Sequence, residues 1–366
     1  MKKSKILVAI GGASMILAGS LVACGSNSAE IAVVTDVGLL MDGGFNQGTY
    51  EGAEAYAKEN NKTYKYYQPA NGSDATDADR EAAMRLAVKN GAKVIVAPGF
   101  LQQAAMEKVA KESPDVKFVF VDGWNFGLSN VTAISYKEQE SGFMAGYAVV
   151  KEGYTKLGGT FGGAGSNPAC NRFAYGFVQG ANAAASTMSK NVDVKISFQY
   201  GATFGASNEL KTQMSGWYSA GTEVVFACGG SMVNSVISAA EGTTNGKVVG
   251  VDVDQSNLSQ RVITSAVKGL AASVKQVLGQ FYANEWDSKL ADKTQNLGAK
   301  ENATGLPTAE KSWRFSTFTK EEYTTLFNSI AAGTTPILSD LPADCNSSAV
   351  WAGFDLALTN TTISFE

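Results

Sequence analysis

Two pairs of short apolar segments decide the fold of this chain. Residues 91–99 read GAKVIVAPG and residues 221–229 read GTEVVFACG, while residues 117–122 read KFVFVD and residues 247–252 read KVVGVD. Both pairs are separated by 130 positions, and four small residues upstream recur at an offset of 128: Gly48, Gly52, Ala53 and Ala55 against Gly176, Gly180, Ala181 and Ala183. Ordered matches at nearly one offset predict two similar lobes.

Around these segments, apolar strands alternate with amphipathic helices. In the first half we predict strands over 31–34, 64–67, 94–97 and 118–121, and helices over 49–60, 77–90 and 103–112. This alternation indicates an α/β fold with parallel sheets and right-handed crossovers. A chain of 366 residues also exceeds one comfortable hydrophobic core, which favours two domains.

The N-terminus has the pattern of a targeting segment. Three lysines in the first five residues precede an uncharged apolar stretch over 6–22, which has the length of a signal-peptide core. The sequence LVACG at 21–25 resembles a bacterial lipobox. The resemblance implies a signal peptide over 1–23, a linker over 24–29 and acylation of Cys24, with palmitate among the expected lipids. Two or more acyl chains anchor stably, so we predict a lipid-anchored protein on the extracytoplasmic face of the cell membrane.

Composition excludes several classes of function. The chain contains no histidine, which excludes Ser-His-Asp, Cys-His and HExxH catalysis and removes the commonest metal ligand. Cys170, Cys228 and Cys345 fit no zinc spacing; one disulfide with a free thiol and three buried thiols are equally open. A net charge of −4 gives no basic face for nucleic acid. We therefore predict a protein that is not an enzyme and needs no metal or cofactor.

The repeat also predicts where a ligand binds. Asp122 and Asp252 each follow an apolar strand at equivalent places in the two halves, and Gly99 and Gly229 end the neighbouring strands. Ligands of open α/β sheets bind beyond the carboxyl ends of the strands, so two facing lobes predict a small-molecule cleft between them. The glycine-dense segment 158–166 lacks the Gly-Lys-Ser/Thr of a phosphate loop, and we predict a hinge-side or cleft-lining loop there.

Five motifs along the chain resemble those of a known family: TDVG at 35–38, DGGFNQG at 42–48, FVFVDG at 118–123, GVDVDQ at 250–255 and TSAVKG at 264–269. In this order and behind a lipobox they resemble the basic membrane protein family of substrate-binding lipoproteins, of the purine nucleoside receptor type. The resemblance implies the type I periplasmic-binding-protein fold, a nucleoside ligand and the permease subunits of an ABC transporter as partners.

The resemblance also implies how the base is held. Phe45 and Phe204, one on each lobe, would sandwich a flat ring, and stacking on an aromatic side chain contributes about 1–3 kcal/mol. The amide of Asn46 both donates and accepts, which suits the edge of a purine, and Asp122 would accept from ring N–H or amino groups. The alternatives are that the two phenylalanines anchor loops and that Asn46 bonds its own backbone.

Four further residues are implied for the ribose. Asp252 would accept from the vicinal hydroxyls, Lys268 would donate to ribose oxygens, and Gly229 or Gly230 would add backbone groups. Lys268 also fits an ordinary solvated lysine. Two more residues complete the predicted ligand-binding set: Asp36 and Trp124. The roles of Asp36, Asp42 and Asp254 are left open, with caps and loop hydrogen bonds favoured for the first two.

The type I fold implies three crossings between lobes. We predict them near 133–136, 262–266 and 296–312, which assigns the two lobes as follows: lobe one spans 30–135 plus 265–298, and lobe two spans 136–264 plus 299–366. The function predicted is capture of a nucleoside, purine favoured, by hinge closure.

Three alternative functions remain open. A receptor of the same fold for a sugar is disfavoured because the five arginines lie outside the cleft motifs. The others are an enzyme that uses carboxylates alone and a surface antigen without a transport role.

Overall fold

The computed structural model describes residues 28–200, 204–339, 347, 351 and 357–366. The predicted signal peptide, Cys24 and Cys345 lie outside the described residues. The strands are, in chain order, β1 Ile31–Val34, β2 Tyr64–Tyr67, β3 Val94–Pro98, β4 Lys117–Val121, β5 Val131–Tyr136, β6 Lys156–Phe161, β7 Val192–Ser197, β8 Val224–Cys228, β9 Lys247–Asp252, β10 Val262–Lys268, β11 Thr294–Leu297, β12 Thr304–Gly305 and β13 Thr361–Phe365.

The α-helices among the described residues are, in chain order, α1 Phe45–Glu59, α2 Asp77–Lys89, α3 Gln103–Glu112, α4 Glu138–Glu152, α5 Pro168–Met188, α6 Asn208–Ser219, α7 Met232–Glu241, α8 Leu270–Tyr282 and α9 Lys320–Ala331. None of these helices is both long and apolar enough to cross a bilayer.

The strands form two sheets, which define the two lobes. The sheet of lobe one has the order β11-β5-β4-β3-β1-β2, and that of lobe two has the order β12-β10-β9-β8-β6-β7-β13. The pairings are parallel except that of β10 with β12. The central strands β3 and β8 are buried along their whole length, as expected for parallel strands covered by helices on both faces.

The repeated glycines have a packing role in each lobe. A Cβ on Gly180 of α5 would lie 1.9 Å from the carbonyl oxygen of Phe143 in α4, and a Cβ on Gly52 of α1 would lie 2.7 Å from that of Ala271 in α8. Both helix pairs therefore approach so closely that only glycine fits at the contact. The offset of 128 in the sequence thus marks the same helix contact in both lobes.

The sheets place the three crossings between the lobes. Tyr136 is the last residue of β5 paired in the sheet of lobe one, and Leu297 ends β11 beside it. The second crossing differs from the prediction: β10 pairs with β9 in lobe two up to Val267 and with β12 at Lys268, so 265–268 belong to lobe two rather than lobe one. The third crossing lies between Leu297 and Thr304. We propose the lobe limits accordingly, with crossings after Tyr136, Lys268 and Leu297.

Candidate functional site: a cavity between the lobes

A cavity of about 300 Å³ lies between the lobes, at the carboxyl ends of their central strands, at the lower end of the roughly 300–1,000 Å³ of small-molecule sites. Nine of the ten predicted ligand-binding residues line it: Asp36, Phe45, Asn46, Asp122, Phe204, Gly229, Gly230, Asp252 and Lys268. The structure therefore brings these residues together, and their roles in binding stay predictions.

Trp124 is the exception. It lines a second cavity beside the first, its side chain is 38% exposed, and its ring centroid lies 5.8 Å from that of Phe120. The sequence suggested a cleft wall because Trp124 follows Asp122 by two residues. The ring packs against Phe120, and the cavity it lines also has residues of both lobes, so a role of Trp124 in ligand binding stays a prediction.

The two strand-end aspartates have the same unusual backbone. Asp122 has a φ of 57° and Asp252 a φ of 66°, both in the left-handed region. Aspartate enters this region more readily than most residues, but such conformations persist only where the surroundings enforce them. The two carboxylates are therefore placed by the backbone at equivalent positions, one in each lobe.

Lys268 gathers these carboxylates around one buried ammonium. Its Nζ lies 2.5 Å from Asp122 Oδ2, 3.4 Å from Asp252 Oδ1 and 3.5 Å from Glu138 Oε1, and its side chain is 2% exposed. Glu138 in turn accepts from Nε of Arg172 at 2.6 Å. Two cations thus face three carboxylates, so the cluster carries one net negative charge when all five groups are ionised.

Burial and neighbouring charges shift the pKa values of this cluster. Burial raises the pKa of Asp122 to about 6 even though Lys268 lowers it, and burial also raises the pKa of Asp252. Burial alone lowers the pKa of Lys268, but the three carboxylates outweigh it and raise that pKa well above its usual range. Burial raises the pKa of Asp36 to about 7. Lys268 is therefore charged at every physiological pH, whereas Asp122 titrates near pH 6 and Asp36 near pH 7.

Aromatic rings surround the same ammonium. The Nζ of Lys268 lies 5.0 Å from the ring centroid of Phe45, 5.3 Å from that of Phe173 and 5.6 Å from that of Tyr136. These distances fall within the range of cation–π attraction. Lys268 is consequently held in place by rings as well as by carboxylates, so the alternative of a solvated lysine is wrong.

Phe204 reaches the cavity because glycines leave room for it. A Cβ on Gly162 would lie 2.3 Å from Cδ1 of the Phe204 ring, and a Cβ on Gly230 would lie 2.7 Å from the Phe204 carbonyl oxygen. The carbonyl of Phe204 also accepts from the backbone N–H of Ser231 at 3.0 Å. The glycine-dense segment 158–166 therefore packs behind this ring instead of lining the cavity itself.

Phe45 and Asn46 lie in the first turn of α1, four residues earlier than the helix start that the sequence predicted. The carboxylate of Asp42 accepts from the backbone N–H groups of Gly44, Asn46 and Gln47 at 2.8, 3.1 and 3.2 Å. These bonds satisfy donors that a helix start leaves free. The helix can therefore begin at Phe45, directly after two glycines. The cap predicted as the favoured role of Asp42 is confirmed.

The amide of Asn46 serves both the loop and the cavity. Its Nδ2 donates to the carbonyl oxygens of Val37 and Leu39 at 2.9 and 3.3 Å. Its Oδ1 is buried and accepts no hydrogen bond from the described residues, and the same holds for Oδ1 of Asp122. Oδ1 of Asp252 lies 3.4 Å from Nζ of Lys268, beyond the usual length of a hydrogen bond. Buried polar atoms are nearly always hydrogen-bonded, so these three acceptors leave hydrogen-bonding capacity for a bound molecule with N–H or O–H groups.

The neighbour of Asp252 has a structural role. Asp254 accepts from the backbone N–H of Ser256 at 3.1 Å and from the hydroxyl of Ser312. These bonds tie the loop after β9 to the segment before α9, outside the cavity.

Comparison with known proteins decides the family. The family model described as ABC transporter substrate-binding protein PnrA-like matches residues 29–331. The chain belongs to this family. The resemblance seen in the sequence motifs is thereby confirmed.

Curated relatives agree with the PnrA-like assignment, and a solved structure agrees with the fold. The ABC transporter nucleoside-binding protein BmpA of Lactococcus lactis subsp. cremoris is 30% identical over 305 residues, which are 75% of this chain and 84% of that protein. Basic membrane protein B of Borreliella burgdorferi strain B31 is 28% identical over 231 residues, 61% of this chain and 65% of that protein. A solute-binding protein of an ABC transporter system from Aeropyrum pernix K1 superposes with a TM-score of 0.71 at 21% identity, over 86% of this chain and 94% of that one. The predicted α/β periplasmic-binding-protein fold is confirmed.

In this PnrA-like chain the lobes touch across the cavity. The Nε2 of Gln255 in lobe two donates to the carbonyl oxygen of Gly43 in lobe one at 2.9 Å. Lys268 of lobe two contacts Asp122 of lobe one. Polar contacts therefore link the two lobes at the site.

Sequence reasoning missed several residues of the candidate site, two of which surround Lys268. Glu138, fully buried, is the first residue of α4 and resembles any acidic residue in a first helical turn. Phe173 lines the cavity but has the helical spacing of a core residue. The sequence offered only their positions as a signal: Glu138 comes just after the first crossing, and Phe173 comes shortly after the glycine-dense loop.

Proposed function

We propose that this protein is a lipid-anchored receptor outside the cytoplasm that captures a purine nucleoside between its lobes. The observation that carries the proposal is a set of buried acceptor oxygens with unused hydrogen-bonding capacity, on Asn46, Asp122 and Asp252, in a cavity that Phe45 and Phe204 also line. A purine nucleoside combines a flat ring with N–H, amino and hydroxyl donors. A purine nucleoside can therefore stack on the phenylalanine rings and donate hydrogen bonds to the buried oxygens.

The charge of the cavity narrows the ligand class. Four aspartates and one lysine line it, and the buried cluster around Lys268 has an excess of one carboxylate. An anionic substituent placed there would face like charges at low dielectric, which is costly. The site thus favours a neutral nucleoside over its phosphorylated form.

Hinge closure is the proposed mechanism of capture. The ligand stabilises the closed state because it contacts groups of both lobes, and only such differential contact shifts the equilibrium. Asp122 and Asn46 belong to lobe one, whereas Asp252 and Lys268 belong to lobe two. A nucleoside bound among them bridges the lobes, as the contact between Lys268 and Asp122 already does.

Delivery to a permease and anchoring through Cys24 complete the proposal. Membership of the PnrA-like family supports the transporter partner, and two archaeal relatives from Pyrococcus furiosus and Pyrococcus abyssi are named lipoproteins. The relative from Lactococcus lactis is named a nucleoside-binding protein. We propose that binding is the whole of the function, with no reaction at the site.

Calorimetry on the full chain tests the ligand. We expect guanosine, inosine and adenosine to bind, free ribose to bind more weakly by about 1–3 kcal/mol for each stacking ring it cannot use, and guanosine 5′-monophosphate to bind weakly or not at all. Mass spectrometry of the recovered ligand should return intact nucleoside. Equal affinity for ribose and guanosine, or release of free base, would overturn the proposal.

A further inference from the structure

Two thiols lie side by side in the wall of the ligand cavity. Cys228 is the last residue of β8 and Cys170 is the third residue of α5; both are unbridged, 1% and 7% exposed. The Sγ of Cys170 lies 3.8 Å from the carbonyl oxygen of Cys228. Burial, and next the hydrogen bond from the Cys170 thiol, raise the pKa of the Cys228 thiol well above its usual range. The thiol of Cys170 therefore lies against the residue that carries the second thiol, Cys228.

The cavity is the route by which a reagent reaches these thiols. Both cysteines line it together with Phe204 and Gly229, and both are otherwise buried in the core of lobe two. A ligand that occupies the cavity consequently covers them. Both belong to lobe two, so a bond between them leaves the hinge free to open.

We propose that Cys170 and Cys228 form a modification site, a dithiol that small disulfides oxidise in the empty receptor and that bound nucleoside shields. The inference rests on the proposed function for the identity of the ligand and for the location outside the cytoplasm, where disulfides form and persist. The oxidant belongs to the class of low-molecular-weight disulfides, RSSR.

The reaction proceeds in two exchanges. The thiolate of one cysteine attacks a sulfur of RSSR and the S–S bond breaks. One RS⁻ departs, and that cysteine now carries a mixed disulfide. The thiolate of the second cysteine then attacks the protein sulfur of that mixed disulfide and releases the second RS⁻. Both cysteine protons end on the two RS⁻ groups, so two thiols and one RSSR give one intramolecular disulfide and two RSH.

Differential alkylation of the full chain tests this site. The protein is incubated with oxidised glutathione, with or without guanosine, and is then alkylated with iodoacetamide, digested and mapped by mass spectrometry. Without guanosine we expect a peptide pair joined through Cys170 and Cys228. With guanosine at about 100 times its dissociation constant, only about one receptor in a hundred is empty, so the rate of cross-linking should fall about 100-fold.

Variants and a binding control separate the possible failures. Cys170→Ser and Cys228→Ser should each abolish the cross-link, whereas Cys345→Ser should keep it. Glutathione on one cysteine without an internal bond, or an unchanged rate when calorimetry shows guanosine bound in the same sample, would overturn the inference. If guanosine does not bind, the nucleoside proposal fails by itself, and the cross-link in the ligand-free sample still decides whether the dithiol is reactive.

Discussion

Lobe one and lobe two place an aspartate in the same left-handed conformation at the end of a central strand, at Asp122 and Asp252. They also end the neighbouring strands with glycines of positive φ, Gly99 and Gly229. The aromatic rings of the cavity have no such symmetry. Phe45 starts the first helix after β1, whereas Phe204 comes from the loop between β7 and α6 and packs over the glycines that follow β6.

This difference separates two parts of the site. The duplicated strands fix the carboxylates through the backbone, so their positions are a property of the fold. The rings come from different elements in the two lobes: Phe45 lies in the first turn of α1, whereas Phe204 lies in the loop before α6 and packs over the glycines after β6. We expect the carboxylates to decide whether a nucleoside binds and the rings to decide how tightly.

The largest effect is expected at the duplicated aspartates. Asp252→Ala should weaken guanosine binding by about 2–5 kcal/mol, because it removes a buried carboxylate from a charge cluster that the ligand completes. Calorimetry measures the affinity, and the melting temperature without ligand should change little. The matched control is Asp254→Ala two residues on, which faces Ser256 and Ser312 and should bind guanosine as the unmodified chain does. If Asp252→Ala bound guanosine as tightly as the unmodified chain, Asp122 and Asp252 would not have equivalent roles in binding.

Each aromatic ring should contribute less to guanosine affinity than the aspartates do. The two rings should contribute similarly although they belong to different lobes. Phe45→Leu and Phe204→Leu keep apolar bulk but lose the flat face, so each should cost about 1–3 kcal/mol of guanosine affinity. Ribose affinity, measured in the same titrations, should be unaffected. A loss confined to one of the two variants would mean that a single ring stacks on the base and that the comparison of lobes is wrong in this respect.

Acid should weaken binding while it stabilises the empty receptor. Asp122, with a pKa raised to about 6, must be ionised to accept from the ligand, so affinity should fall up to tenfold, about 1.4 kcal/mol, per pH unit below 6. For folding the sign is opposite. The folded pKa values of Asp122 and Asp36 exceed the ordinary value of 3.8 for an aspartate. Their contribution to stability is therefore fully present below pH 3.8 and is lost as pH rises through about 6 and about 7.

Melting curves with and without guanosine between pH 5 and pH 8 check both signs. The melting temperature of the empty protein should rise toward pH 5 while the guanosine-induced increase shrinks. Asp36→Asn should reduce the rise in melting temperature of the empty protein toward pH 5, because the amide has no charge to bury. A ligand-induced increase that is constant over this range would show that Asp122 does not accept from the ligand.

The smallest effect is expected behind Phe204. Gly162→Ala would place a Cβ 2.3 Å from the ring and force it out of its rotamer, at a cost of about 0.5–1.5 kcal/mol to binding. Gly216→Ala, in α6 with open space around the glycine, should leave binding unchanged and stabilise the fold slightly. Calorimetry and melting temperatures distinguish the two, and equal behaviour of both variants would show that the glycine-dense loop does not support the ring.

The fold could be predicted from the sequence because strand composition and the internal repeat are local and redundant. The predicted strands 31–34 and 64–67 match β1 and β2 to the residue. The start of α1 was wrong because it depends on Asp42, whose capping bonds reach over two glycines. A cap of this kind leaves no periodic signal.

The site was predictable where a residue follows a strand and unpredictable where tertiary packing decides. The repeat singled out Asp122 and Asp252, and the family motifs added the rings and Lys268. Glu138 was missed because its partners come from β10 and α5, more than 30 residues away in sequence. Whether Trp124 would line the first cavity or the adjoining one could not be predicted, because side-chain direction at a strand end depends on packing, here against Phe120 of β4.

A crystal structure of the full chain with guanosine is the sharpest test of the proposed ligand site. We expect a purine between Phe45 and Phe204, with donors of the nucleoside within hydrogen-bond distance of Asn46 Oδ1, Asp122 Oδ1 and Asp252 Oδ1. Guanosine bound outside this cavity, or a cavity that stays empty at saturating guanosine, would contradict it.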